Sequence, residues 1–244
     1  MGMNFEEKKI SFIIPAFNEE VLLPATLSAL HQAIAAIDMA SEIIVVDNHS
    51  TDSTATVASE MGATVVYEEI NQISRARNAG ARVAGGDILF FIDADTIVSD
   101  LIIQHTLNLM KNENVAGGGI CVSLDSQAPK SARYWTNLWN WVSRRSKLAA
   151  GCFIFCSKDA FEASGGFSEK VYVAEEILFS FQLHSYAKKH RENIVIINEH
   201  SVITSSRKLQ WYSPITIILW MGFYILFPFA GYYRILCPMW YKRP

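Results

Sequence analysis

Residues Gly86–Thr96, GDILFFIDADT, constrain this chain more than any other stretch. Five consecutive apolar residues, Ile88 to Ile92, rich in β-branched and aromatic types, predict a strand buried on both faces. The run stops at two carboxylates one residue apart, Asp93 and Asp95, so the strand delivers two negative charges to the edge of a sheet. In open α/β sheets ligands bind beyond the carboxyl ends of strands. Two close carboxylates on a rigid strand end repel each other unless a cation neutralises them. Hard divalent cations take such oxygen ligands together with substrate phosphates, so the pattern points to a metal-bridged pyrophosphate. An Asp-x-Asp alone is common in solvated turns, and the rest of the chain has to supply the context.

That context is an alternation. Lys9 to Pro15 is an apolar run closed by a proline, a first buried strand, and a helix with Leu22, Leu23, Leu27 and Leu30 on one face is expected from Asn18 to about Ile37. Ser41 to Asp47 is a second buried strand ending in a carboxylate, followed by a polar turn rich in helix-capping residues, a helix from Thr54 to Met61 and a strand over Ala63 to Tyr67. Strands alternating with helices predict an α/β fold with a mostly parallel sheet, in which Pro15, Asp47 and Asp93 share one edge. Arg75 and Arg77 stand at a helix start, unfavourable for the helix dipole, a hint that they face an anion.

Helices are further expected over Asp100–Asn112, Asp159–Ala163 and from Val173 to about Lys189, with strands over Val115–Val122, Gly151–Ser157 and Ile194–Ile197, and a polar segment at Ser201–Lys208. Trp135, Trp139 and Trp141 between Ala132 and Ser146 are core residues or an aromatic platform for a sugar or lipid. A chain of 244 residues, half of them hydrophobic, is large enough for one sizeable core. The net charge of −3 and the absence of a basic stripe exclude nucleic acid as an expected partner. Cys121, Cys152, Cys156 and Cys237 have neither paired spacing nor the density of a disulfide scaffold, and no signal peptide precedes the first strand; a cytoplasmic location is expected.

Taken in order, SFIIPAFNEE (11–20), IIVVDNHSTDST (43–54), ARNAGARVAGGDILFFIDADT (76–96), GGF (165–167), AEEI (174–177) and TSSRK (204–208) resemble glycosyltransferase family 2, inverting enzymes of GT-A fold that use nucleotide-sugar donors. The resemblance covers about residues 9 to 208 and implies a transferase domain over 1–208. It implies that Pro15, Ala16, Phe17, Asn18 and Glu19 line the base and ribose pocket and that Asp47 accepts from the nucleobase. It further implies that Asp95 contacts Mn2+ or Mg2+, that Asp93 contacts ribose or a water on the metal, and that Ala94 lies between them in the donor site. The family's acidic pair is usually Glu-Asp; here it is Glu175-Glu176, with Glu176 the general base. Arg77 and Arg207 are candidates for phosphate contacts and His200 for a metal ligand. The usual Asp-Asp-Gly-Ser after the second strand reads Asp47-Asn48-His49-Ser50. A nucleotide-sugar-binding protein without transfer and a sugar nucleotidyltransferase are the alternatives. The second lacks support, because PAFNEE is neither glycine-rich nor basic.

The segment 209–244 stands apart. Residues 211–233 carry no charge and are long enough, as a helix, to cross the hydrocarbon core of a bilayer, at about 1.5 Å per residue against roughly 30 Å. Pro214, Gly222 and Pro228 weaken such a helix, so an in-plane anchor rivals a crossing. The expectation is a membrane-associating tail at the cytoplasmic face, with a lipid-linked or membrane-proximal acceptor as the corollary.

Overall fold

The computed structural model describes residues 5–207, 211–212 and 214–241. Its centre is an eight-stranded sheet of order β3-β2-β1-β4-β7-β6-β8-β5. Strands β1 (Ile10–Ala16), β2 (Ser41–Asp47), β3 (Thr64–Tyr67) and β4 (Ile88–Ile92) run parallel, as alternation with helices predicts. The expected strand over Gly151–Ser157 is β7 (Phe153–Ser157), and it enters antiparallel between β4 and β6 (Val115–Leu124).

Side chains alternate between two cores. Phe12, Phe90, Phe153 and Phe155 pack on one face with α1 (Leu23–Ala35) and α4 (Asp100–Asn112). Ile13, Phe91 and Ile154 pack on the other with α3 (Ile73–Val83), α6 (Lys158–Ser164) and α7 (Glu175–His190). Burial on both faces explains why β1, β2 and β4 read as unbroken apolar runs. Helix α3 lies unusually close to the sheet: a Cβ on Gly80 would come within 2.4 Å of Ile13 Cγ2.

Three segments differ from the sequence reading. Helix α1 begins at Leu23 rather than Asn18, because the backbone N–H groups of Asn18 and Glu20 donate to Ser50 and Asp52 of the loop after β2 and that of Glu19 to Thr54, the first residue of α2 (Thr54–Glu60). Those bonds hold the end of β1 as a loop.

The segment expected as a short strand and then polar coil is one long strand, β8 (Asn193–Thr204), with a register shift where Ile120 faces Ile197 and Cys121 faces Ser201. Its end pairs with a two-residue strand, β5 (Thr96–Ile97), just after the Asp-x-Asp. Hydrogen bonds between distant segments decide both features, and local pattern is blind to them.

The apolar tail is not one helix. It contains a helix Pro214–Leu226, 3-10 turns over Pro228–Tyr232 and Arg234–Leu236, and a short helix Pro238–Tyr241. Pro228 and Pro238 each sit at the start of a new turn, where their missing N–H costs nothing. Of the crossing and the in-plane anchor open to 211–233, the crossing finds no helix for it: none among the described residues is long and apolar enough to cross a membrane. The tail returns to the body: the Tyr172 N–H donates to the Gly231 carbonyl (2.6 Å) and the Tyr241 hydroxyl to the Tyr172 carbonyl (3.0 Å). The boundary expected at 208/209 falls outside the described residues.

Candidate functional site

Parallel pairing brings the carboxyl ends of β1, β2 and β4 into line, with Ala16 opposite Asp47 and Ile13 opposite Phe91. A cleft opens there, lined by Pro15, Ala16, Phe17, Glu19, Asn48 and Asn71 together with Asp93, Ala94, Asp95 and Arg207. Trp211, Met239, Trp240 and Tyr241 of the tail close its remaining wall.

Beneath the cleft lies an ionic cluster. Arg77, only 1% exposed, donates to Asp93 Oδ1 (3.0 Å), Glu175 Oε1 (2.7 Å) and the Gly151 carbonyl (2.8 Å). Its guanidinium carbon is 5.1 Å from the centroid of the Phe167 ring, and Phe167 is itself held by Asn78, whose side chain bonds both the N–H and the C=O of Phe167. The sharp turn there requires Gly165 and Gly166, at φ 79° and 70°. Burial works against the Arg77 charge, but Asp93, Glu175 and Glu176 outweigh it and raise its pKa, so it stays a cation. Arg77, expected at the donor phosphates, is thus turned inward. The anions that this helix start faces are the protein's own, for Arg75 likewise donates to Glu68 (3.0 Å) and Glu169 (2.8 Å).

Glu175 and Glu176 open α7 behind Ala174, which sits in the left-handed region at φ 64°. Such a conformation in an alanine is sparsely populated and persists where surrounding contacts impose it; here it aims the two acids differently. Glu175 goes to Arg77 and is buried, whereas Glu176 lies beside Gly151 and is half-buried. Burial first, and the Glu175 charge second, push the Glu176 carboxyl up to about 8.

Asp95 is held from β8: the Ser205 N–H donates to its carbonyl (3.2 Å), and Thr204 Oγ1 lies 3.4 Å from its Oδ1. Arg207, also expected at the phosphates, makes two bonds to Glu19 (2.7 and 3.0 Å), with Asp95 Oδ2 at 3.9 Å. Asp125 secures that corner through the N–H (2.9 Å) and hydroxyl (2.6 Å) of Ser206.

The Asp47 carboxylate accepts from the Ser50 N–H (3.0 Å), closing the turn, while its neighbour Asn48 lines the cleft. Asn18 accepts from the Thr51 N–H (2.8 Å) and so ties the first two loops together. His49 occupies the position of the usual glycine at φ 67°, with its Nδ1 2.9 Å from the Tyr67 hydroxyl.

Among the described residues no third His, Cys, Asp or Glu joins Asp93 and Asp95 as a metal cage. Two strand-end carboxylates, 29% and 16% exposed at a cleft, still suit Mn2+ or Mg2+, which leave several positions to phosphate oxygens and water. His200 packs on His105 (ring centroids 5.5 Å apart) and is not among the residues lining the cleft. All four cysteines are buried thiols. Asn71 and the tail aromatics lining the cleft were missed in the sequence, where nothing distinguishes them from packing residues.

The family model for glycosyl transferase family 2 matches residues 11–165. The chain belongs to that family. An uncharacterized glycosyltransferase of Mycobacterium tuberculosis is 43% identical over 86 residues, 35% of this chain and 36% of the relative. The 4,4'-diaponeurosporenoate glycosyltransferase of Staphylococcus haemolyticus is 40% identical over 119 residues, 43% of this chain and 30% of the relative. The matched regions thus span about a third of those curated relatives.

Among solved structures, Staphylococcus aureus TarS 1-349 in complex with UDP-GlcNAc superposes with a TM-score of 0.64 at 18% identity, over 82% of this chain and 59% of that one. The glucosyl-3-phosphoglycerate synthase of Mycobacterium tuberculosis, crystallised with Mn2+, UDP and glucosyl-3-phosphoglycerate, gives 0.61 at 19% identity, over 88% and 79%. At such identities the likeness is one of fold, and the family 2 chain has the GT-A fold expected for it.

Proposed function

We propose that this chain transfers a sugar, with inversion, from a uridine diphosphate sugar to an acceptor hydroxyl. The observation that carries the reading is the convergence of Asp93, Asp95 and the Pro15–Phe17 loop on one cleft, with Asp93 joined through Arg77 to Glu175, the residue before Glu176. The UDP-GlcNAc in the TarS complex and the UDP in the synthase complex support uracil as the base.

Attack on an anomeric carbon builds positive charge on the sugar and releases a diphosphate, so it needs a base for the acceptor proton. Glu176 is that base. Glu175 positions it, being pinned to Arg77 at the helix start. Pro15, Ala16, Phe17, Asn48 and Asn71 bound the nucleotide, Asp47 shapes the turn beside the base, and Ala94 leaves room for the ribose. Glu19 is held in the wall by Arg207, whose charge, 3.9 Å from Asp95, lies on the diphosphate side. Asp93 and Asp95 would hold a divalent cation, which when bound offsets the charge of the leaving diphosphate.

The transferase domain is assigned to 1–208 and the tail to 209–244. In the tail Leu226, Phe229 and Ile235 are exposed, which supports contact with a membrane surface at the cytoplasmic face and, with it, an acceptor presented there.

The experiment is thermal unfolding with UDP, GDP, CDP and dTDP, each with and without Mn2+, on wild type and Asp95→Ala. Stabilisation by UDP that needs both Mn2+ and Asp95 is expected, of about 2.7 kcal/mol at a hundredfold excess over the dissociation constant. No stabilisation by any diphosphate overturns the donor site. Binding retained by wild type and Glu176→Gln alike, with neither hydrolysing the UDP-sugar, favours the binding protein.

A further inference from the structure

Helix α5 (Lys130–Ser146) is amphipathic with its apolar face outward. Tyr134, Trp135, Leu138 and Trp141 are 67%, 49%, 40% and 58% exposed, and their spacing places them along one side of the helix. The opposite side is committed to the sheet. Trp139 packs on the core, Asn140 bonds both the N–H and the C=O of Val122 (2.9 and 2.8 Å), and the buried Ser143 donates to the Leu148 carbonyl. The tryptophans read as either core or platform therefore divide: Trp139 turns inward, while Trp135 and Trp141 face out.

The charge around that face is one-sided. Residues 126–158 contain Lys130, Arg133, Arg144, Arg145, Lys147 and Lys158 and no acid, in a chain whose net charge is −3. Three of the six cations, Arg144, Arg145 and Lys147, gather at the C-terminal end of α5. Arg144 donates to the Asn140 carbonyl of its own helix (3.3 Å), not to a carboxylate.

Tryptophan, tyrosine and leucine on one face, with arginine and lysine at its margin, is the composition of helices that lie in a membrane interface. Two copies of this chain meeting through α5 would bring these cations together and repel. We propose that α5 docks on an anionic lipid surface, its Tyr134–Trp141 face at the headgroup boundary and Arg144, Arg145 and Lys147 on lipid phosphates. Of the proposed function it shares only the membrane location, and no step of sugar transfer enters it.

The test uses the full chain with Leu138→Cys carrying an environment-sensitive dye; the four native thiols are buried, so labelling is selective. The protein is floated with phosphatidylserine–phosphatidylcholine vesicles and with pure phosphatidylcholine vesicles. With the anionic vesicles a blue shift and gain of dye emission are expected, both reversed by high salt. Arg144→Gln/Arg145→Gln should lower the partition about thirtyfold, and Trp135→Ser/Trp141→Ser should abolish the shift at unchanged melting temperature. Failure to float overturns the proposal. So does flotation without a change at position 138, which would leave the tail as the membrane contact. A dye shift that grows with protein concentration in the absence of lipid overturns it in favour of a second copy.

Discussion

The Arg77 guanidinium donates to Glu175 Oε1 at 2.7 Å across 98 residues of chain, joining the helix before β4 to the first acid of α7. Both side chains are withdrawn from water, 1% and 6% exposed, and the same guanidinium holds Asp93. One cation thereby sets the spacing between Asp93, at the proposed metal side, and Glu175, the residue before the proposed base. Removing one partner of such a pair leaves a buried charge uncompensated, so Arg77→Ala should cost about 3–5 kcal/mol in urea unfolding. Arg77→Lys, with a point charge in place of the planar fork, should recover part of the stability but not the transfer rate.

Glu176 makes activity and stability respond oppositely to pH. Its folded pKa, about 8, lies above the ordinary 4.5, so the folded state binds the proton more tightly. That stabilisation is complete below pH 4.5 and is lost as pH rises toward 8, by up to about 1.4 kcal/mol per pH unit. Glu176→Gln should flatten this slope in unfolding titrations and be the more stable protein at pH 8. It should also lose transfer by about 10²–10⁴-fold, while wild-type kcat/KM climbs with pH as the base ionises.

The Arg207 guanidinium makes two hydrogen bonds to the Glu19 carboxylate. Arg207→Met should remove both of these bonds to a buried acid, at a cost of about 1–3 kcal/mol. The end of β1 should loosen with it, so a rise in KM for the nucleotide donor larger than the fall in kcat is the kinetic signature. Equal loss in both would place Arg207 at the reacting centre instead.

Gly80 and Gly85 separate packing from permissiveness. A Cβ at Gly80 meets Ile13 Cγ2 at 2.4 Å in a filled core, whereas one at Gly85 meets only the ends of Lys9 (3.2 Å) and Glu42 (3.4 Å), which can swing aside. Gly80→Ala should therefore destabilise by about 1–3 kcal/mol and lower activity by moving Arg77 one turn away. Gly85→Ala should change neither by much; chemical denaturation of both variants decides it.

The elements the sequence determined are those built by local rules. The apolar runs of β1, β2 and β4, with their turns and carboxylates, require a parallel sheet whose acids share an edge, because strands buried on both faces leave polar residues only at their ends. Asp93, Asp95 and the Glu175-Glu176 pair were legible in the same way, as charges abutting apolar segments.

What each acid is bonded to was not legible. That Arg77 faces inward, that Arg207 belongs to Glu19, that β8 runs on to brace Asp95 through β5, and that Trp240 and Tyr241 return to wall the cleft are contacts between residues far apart in the chain. Nor could the outward turn of Trp135 and Trp141 be read from their spacing, since helical periodicity defines a face but not the neighbour it meets. Only the tertiary structure decides that, because burial is settled by what packs against a side chain and not by the residues beside it in sequence.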